Sequence, residues 1–334
     1  HFDGLRFRNA QATARQEGSV FQWLLNRERG PWESRPTPTT TPARRVEGGD
    51  LVVTFVNHAT VLLQVDGLNI LTDPVWSKRA SPFQFAGPKR YRAPGVAFDD
   101  LPPIDLVLLS HNHYDHLDAP TMRKLAAKFD PVVVTGLGNA ATLNRLGISR
   151  AIELDWWETT PVGALEITAA PAQHFSGRTP RDGNLTLWSA FAIQGERHCV
   201  LFGGDGGLHD GFVGIGERLG PFDLVMLEVG AFHPAWGSIH LGPDNALKAL
   251  DMLGGGCFLP VHWGTFNLAL HDWDQPAERL LERAATLDLA LLMPKLGLPA
   301  EPAHVVASDR LDPWWRAVST RERPVDPELV SSTS

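Results

Sequence analysis

Cysteine is almost missing. The 334-residue chain holds only Cys199 and Cys257, too few for a disulfide framework. Both sit at the ends of apolar runs, so buried free thiols are expected, although the count would allow one bridge. No uninterrupted apolar stretch approaches the ~20 residues of a membrane-spanning helix. Basic excess is missing too. Against 38 acidic side chains there are 30 lysines and arginines, a net charge of -8, and this argues against nucleic-acid binding. One local basic run, Lys89-Arg90-Tyr91-Arg92, reads as a solvated loop or as a contact for an anionic ligand or lipid headgroup. There is no Gly-x-Ser-x-Gly nucleophile elbow, so a Ser-His-Asp hydrolase finds no support. Internal repeats are absent as well.

What is present begins with 43% hydrophobic residues, enough for a sizeable core. Residues 1–46 form an N-terminal arm ending in the proline/threonine linker Pro36-Thr37-Pro38-Thr39-Thr40-Thr41-Pro42, which suits neither a helix nor a sheet interior. Within the arm, Phe21, Trp23, Leu24 and Leu25 make an aromatic-aliphatic patch, expected to clamp onto the main body or to touch a membrane. Residues 47–334 form the main domain, ending in a tail. The sequence opens on His1, which leaves room for an upstream signal or anchor. A membrane-associated or periplasmic location is expected over a plain cytoplasmic one.

From residue 51 the pattern is regular. Leu51–Val56 and Thr60–Val65 read as strands, Asp66-Gly67 as a hairpin turn, and Leu68–Thr72 as the return strand. Leu106–Leu109 fits a buried strand. Asp118 is placed to cap the helix that follows, with Pro120 in its first turn and Met122, Leu125, Ala126 and Phe129 along its core face. Further apolar runs each end in a residue able to bind a metal or orient a ligand. Leu165–Ala169 leads towards His174, Cys199–Phe202 towards Asp205, Leu224–Leu227 to Glu228, and Phe258–Val261 to His262. Strands and helices that all empty into one edge predict a layered α/β architecture with its site at the strand ends.

The chemistry concentrates in His111-x-His113-x-Asp115-His116. On an extended strand end His111 and His113 point the same way, because side chains alternate. After a turn, Asp115 and His116 can face a second point nearby. One segment can thus serve two metals through imidazole and carboxylate ligands. His174 can complete the first set and His262 the second. Asp205, in the glycine-rich turn Gly203-Gly204-Asp205-Gly206-Gly207, offers a carboxylate able to bridge both ions.

This set resembles the metallo-β-lactamase superfamily. Other blocks narrow the resemblance: Asn57-His58-Ala59-Thr60-Val61-Leu62, Leu71-Thr72-Asp73-Pro74, Gly87-Pro88-Lys89-Arg90-Tyr91, Leu101-Pro102-Pro103-Ile104-Asp105, Leu154-Asp155-Trp156-Trp157-Glu158 and His262-Trp263-Gly264-Thr265-Phe266. Over about residues 51–285 the chain is similar to N-acylphosphatidylethanolamine-hydrolysing phospholipase D and its bacterial relatives. The resemblance implies an αββα sandwich. It assigns one metal to His111, His113 and His174, the other to Asp115, His116 and His262, and the bridge to Asp205. It places His240 against the substrate and gives Asp73 the task of orienting the metal-binding loop. His58 is read as buried and hydrogen-bonded. The pattern departs from the family after Asp205, where Gly206-Gly207 replaces the usual Thr-Gly with His209 close behind. It departs again at Ile239 and in the N-terminal arm, which leaves lipid specificity open.

The implied activity is a dinuclear phosphodiesterase of the phospholipase D type, acting on N-acylphosphatidylethanolamine or a related phospholipid through a metal-bridging hydroxide. Asp205, Asp115 and His240 are the expected catalytic residues. Two divalent ions are expected, zinc first, with iron and manganese compatible. A phospholipid substrate, peripheral membrane contact and, from the related lipase, a homodimer are the expected partnerships. Two other readings stay open: hydrolysis of a lactone, β-lactam or other small ester, and a metal-binding module without turnover.

Overall fold

Runs of Val, Leu, Ile and Thr dominate the strands, and in the computed structural model they build two mixed sheets. The structure describes residues 1–11, 32, 37–233, 238–269, 271–284, 286–287, 289–305 and 311–317. The first sheet contains β1 (Val52–Asn57), β2 (Thr60–Val65), β3 (Leu68–Thr72), β4 (Leu106–Leu109), β5 (Val132–Gly136) and β6 (Ala151–Leu154) in that order, with a short edge strand at Pro299–Ala300 beside β1. The β1–β2–β3 meander is antiparallel and β3 to β6 run parallel. Asp66 and Gly67 make the tight β2–β3 turn, both with positive φ (48° and 72°), as a primed hairpin turn requires.

The second sheet contains β7 (Thr159–Val162), β8 (Leu165–Ala170), β9 (Ala190–Gln194), β10 (Cys199–Phe202), β11 (Leu224–Glu228) and β12 (Cys257–Val261). Here β10, β11 and β12 are parallel and the rest antiparallel.

Alternation along β4 explains the layering. Leu106 and Leu108 join Ile70 and Val134 in a core shared with Ile167, Phe191, Ile193 and Leu201 of the second sheet. Val107 and Leu109 point the other way, against Met122 and Leu125 of helix α1 (Ala119–Phe129) and Leu143 of α2 (Ala140–Arg145). A strand buried on both faces needs an unbroken apolar run, which is what Leu-Val-Leu-Leu supplies. On the second sheet's outer face, α3 (Gly211–Leu219), α4 (Gly242–Met252) and α5 (Gln275–Ala284) contribute Phe212, Ile215, Ala246, Leu250, Ala277 and Leu280. The result is the expected αββα sandwich. Truncating one of its core leucines, such as Leu108→Ala, should cost about 2–5 kcal/mol.

Two details differ from the sequence-based expectations. Asp118 occupies the N-cap position of α1 but makes no side-chain cap bond. Its carboxylate instead accepts from the Trp76 and Ser77 backbone amides and the Ser77 hydroxyl, at 3.2, 3.0 and 2.7 Å, tying the loop after β3 to the helix. The basic run is not a solvated loop throughout. Arg90 is half-buried, its guanidinium donating to the Ser77 and Val75 carbonyls and to Asn57 Oδ1 and lying over the Phe266 ring at 4.8 Å. Burial lowers its pKa to about 10. Arg92 lies over Trp273 at 3.7 Å. Buried loop carbonyls need donors, and a guanidinium fork supplies several at once. The first residues of the N-terminal arm pack against the body: the Phe7 amide donates to the Asn184 carbonyl at 2.8 Å, and His1 stacks on Trp156. The Phe21–Leu25 patch lies outside the described residues.

Both cysteines are free thiols. Among the described residues no helix is long and apolar enough to cross a membrane.

Candidate metal centre

β4 delivers the chain to Ser110, and the next six residues carry the cluster. His111 Nε2 lies 2.8 Å from His113 Nδ1, and His174 Nε2 lies 3.3 Å from the same atom. Second bonds fix which nitrogens are bare. The Ser110 hydroxyl donates to Asp73 Oδ2 at 2.6 Å, so at 2.9 Å it accepts from His111 Nδ1–H. His174 Nδ1–H donates to the Ile239 carbonyl at 2.9 Å. Both Nε2 atoms therefore present lone pairs to His113 Nδ1, which carries at most one proton for the two. Burial holds His111 and His174 well below the ordinary imidazole pKa and takes His113 down to about 4. Three neutral imidazoles converging through lone pairs form a site for a divalent cation.

The second half is built from Asp115, His116, His262 and Asp205. His116 donates Nδ1–H to Asp73 Oδ2 at 2.6 Å. Its Nε2 lies 3.2 Å from Asp205 Oδ2 and 3.4 Å from Asp115 Oδ2, while His262 Nε2 lies 3.2 Å from both carboxylates. Burial opposes charge on these rings, but the carboxylates outweigh it. Asp205, Asp115 and Asp73 drive His116 well above its usual pKa, and Asp205 with Asp115 takes His262 to about 10. The protein alone thus demands positive charge here. His116 Nε2 and Asp205 Oδ1 are buried without a hydrogen-bond partner. Orphaned buried ligand atoms of this kind are what a metal would satisfy. Asp205 Oδ2 also lies 3.8 Å from His174 Nε2, so one carboxylate faces both halves.

Close packing places Asp205. A side chain at Gly204 would meet Ser110 Cβ at 2.6 Å, and one at Gly207 would overlap the Ser238 carbonyl oxygen. The glycines let the turn sit directly beneath the cluster.

Asp73 reaches the loop as anticipated: besides its bonds to Ser110 Oγ and His116, it accepts from the Ser110 amide at 2.8 Å. His58 is buried and hydrogen-bonded, its Nε2 lying 3.0 Å from Asp115 Oδ2 and its ring 4.0 Å from that of His262. Burial, then His262, lowers His58 to about 3, so Nε2–H is a neutral donor that aims the carboxylate. His240 stands at the edge, its ring 5.2 Å from His174 and 5.8 Å from His262. Glu228 Oε2 holds His240 Nδ1 at 2.7 Å; burial opposes charge on His240, and Glu228 more than offsets it, raising the pKa. His209, noted beside the turn, belongs elsewhere: it packs on Phe212 and accepts from the Gly211 amide.

Two further residues support the site, Glu228, which the sequence marks at a strand end, and Asn9, which it does not. Glu228 anchors the site's rim, accepting from the Gly206 amide at 2.9 Å as well as from His240. Its position at the end of β11 was a visible hint. Asn9 gave no signal. Its Nδ2 donates to the His174 carbonyl at 2.8 Å and its Oδ1 accepts from the His174 amide at 2.9 Å, so the side chain pairs with that residue as a neighbouring strand would. Trp188 Nε1 donates to the same oxygen at 3.1 Å. Phe175, 40% exposed, adds an apolar lip with its ring 4.5 Å from His113.

Comparisons with known proteins give the family and the fold. Residues 68–263 match a model described as the Beta-lactamase superfamily domain. An uncharacterized protein of Mycobacterium tuberculosis is 40% identical over 309 residues, covering 90% of this chain and 82% of the relative. N-acyl-phosphatidylethanolamine-hydrolyzing phospholipase D 1 of Caenorhabditis elegans is 35% identical over 288 residues, covering 79% of this chain and 81% of the relative. Among solved structures, Igni18, a metallo hydrolase from Ignicoccus hospitalis, superposes with a TM-score of 0.57 at 21% identity over 75% of this chain and 97% of its own, a likeness of fold.

Proposed function

The chain belongs to the β-lactamase superfamily as a metal-dependent hydrolase, and from that premise we propose that it is a dinuclear phosphodiesterase that cleaves N-acylphosphatidylethanolamine or a related phospholipid with phospholipase D regiochemistry. The observation that carries the dinuclear part is Asp205 Oδ2, which lies 3.2 Å from His116 and His262 and 3.8 Å from His174. His111, His113 and His174 would hold one divalent ion, and Asp115, His116 and His262 the other, with Asp205 between them. Zinc suits these nitrogen and carboxylate ligands best, with iron and manganese also compatible. The lipid part is supported by 35% identity to a worm enzyme whose name states that substrate.

Bound divalent ions supply a deprotonated water near neutral pH and neutralise charge on a phosphate. The chain's own residues do the rest. With such ions held there, Asp205 and Asp115 would be placed to orient the water and accept a hydrogen bond from it. Asp73 and Ser110 keep His111 and His116 in the tautomers that leave Nε2 bare. His240, held at Nδ1 by Glu228, keeps Nε2 for a non-bridging phosphate oxygen, a charge-assisted contact when the ring is protonated. Phe175 offers an apolar surface beside the reacting phosphate for lipid methylenes.

Metal analysis tests the reading. The active protein should hold two ions per chain, and Asp205→Asn should weaken metal retention and remove most activity. One ion per fully active chain would refute it.

A further inference from the structure

The loop between β3 and β4 carries a feature that the metal centre does not use. Residues 78–90 form a short hairpin: the Arg90 amide donates to the Lys78 carbonyl at 2.8 Å and the Ala80 amide to the Pro88 carbonyl at 3.1 Å. Arg79 crosses it, donating to the Gly87 carbonyl at 2.6 Å. At its tip Phe83 and Phe85 are 56% and 82% exposed, with ring centroids 5.3 Å apart. Two large apolar rings held together in water are costly unless something covers them.

The base of the hairpin is rigid. Arg90 is sunk into loop carbonyls and lies over Phe266, whose ring meets the His58 ring edge-on at 5.1 Å. His58 in turn bonds Asp115. The exposed rings are therefore borne on a braced arm rooted beside the metal centre.

Charge identifies the partner. No aspartate or glutamate occurs from residue 74 to residue 98, although acids outnumber bases 38 to 30 in the whole chain. In this stretch Lys78 and Lys89 are exposed, one on each strand at the base of the hairpin. An exposed aromatic pair at the tip of a hairpin whose base carries two exposed lysines, on an otherwise acidic protein, matches a surface that is apolar beneath and anionic at its face.

We infer that the Phe83–Phe85 hairpin is the protein's docking element for an anionic lipid bilayer, inserting its two rings below the headgroups while Lys78 and Lys89 contact them. The inference rests on the phospholipid reading for its purpose, but docking itself needs no turnover. It also moves the expected membrane contact from the Phe21–Leu25 patch to a segment whose geometry is defined.

The test is co-sedimentation of the full chain with vesicles of phosphatidylcholine, with and without phosphatidylglycerol, both as diether phosphonate analogues in which a methylene replaces the headgroup-side phosphoester oxygen, so that neither the acyl esters nor the scissile P–O bond is present. The wild-type chain should partition onto the anionic vesicles. Each ring lost should weaken partition by about tenfold, so Phe83→Ser/Phe85→Ser should nearly abolish it. Lys78→Glu/Lys89→Glu should remove the preference for phosphatidylglycerol, at roughly fivefold or more per residue. All four positions are exposed, so metal content and thermal unfolding should match the wild type and certify the fold. Absence of wild-type binding, or equal binding by the serine variant, would overturn the inference. So would a change in sedimentation velocity on losing the rings with vesicle binding intact, which would assign them to a second copy of the chain. Because no lipid is cleaved, a failed phosphodiesterase reading would leave these outcomes readable.

Discussion

Asn9 lies far from the cluster in sequence and touches no candidate ligand atom, yet replacing it should selectively empty one half of the centre. In Asn9→Ala three hydrogen bonds disappear. Trp188 Nε1 keeps the Ala172 carbonyl at 3.0 Å, so its loss is small. The His174 amide and carbonyl are the groups left without their partner, on a buried residue. Stranding a buried donor or acceptor costs about 1–3 kcal/mol. Part of that cost falls on the fold and part on the placement of His174 Nε2, so the affinity of the His111–His113–His174 set should drop by about 10- to 100-fold, the range for supports of metal ligands. Competition with a chromophoric chelator would measure it: one ion should be released earlier while the other, on Asp115, His116 and His262, keeps its affinity. Asn9→Asp sharpens the test. It preserves the acceptor for the His174 amide but sets a carboxylate oxygen against the His174 carbonyl, so it should not rescue. Unchanged affinity for both ions in Asn9→Ala would refute the idea that this strut positions His174.

Other outcomes follow from the same geometry. His240→Ala should lower kcat by 10-fold or more, about 1.4 kcal/mol in the barrier, with both metals retained, as judged by kinetics alongside elemental analysis; Glu228→Gln should move kcat in the same direction and alter its pH profile. The metal-free protein should lose stability as pH falls below about 6.5. His113 and His58, lowered to about 4 and about 3, stay neutral in the fold while the unfolded chain takes up protons, so their stabilisation is present above the unfolded pKa and lost towards the folded values. His262, raised to about 10, acts oppositely: its contribution is full below about 6.5 and lost as pH rises through about 10. Denaturant titrations of chelator-treated protein across that range would check both limbs.

Much of the architecture could be read from residue pattern because it depends on local periodicity. Leu106–Leu109 had to be buried on both faces, and Asp66-Gly67 had to turn a hairpin. The clustered histidines were legible for a related reason: six consecutive residues cannot place His111, His113, Asp115 and His116 far apart. Distant members such as His174, Asp205 and His262 were approachable because each follows an apolar strand. What stayed hidden depends on long-range contact. Asn9 meets His174 across the body of the fold, and nothing in Arg8-Asn9-Ala10 announces it. Arg90 looked like a surface charge because burial of a guanidinium is set by which loop carbonyls surround it. Asp118 looked like a helix cap because it stands where a cap stands, while the loop after β3 claims its carboxylate.

The central claim concerns which bond breaks, and oxygen-18 water decides it. Metal-loaded protein incubated in labelled water with N-acylphosphatidylethanolamine vesicles should yield phosphatidic acid carrying the label in its phosphate and N-acylethanolamine carrying none, as attack at phosphorus opposite the headgroup oxygen requires. Label in a free fatty acid would show attack at a carbonyl, and label in the released alcohol would show carbon–oxygen cleavage; either result would contradict the account.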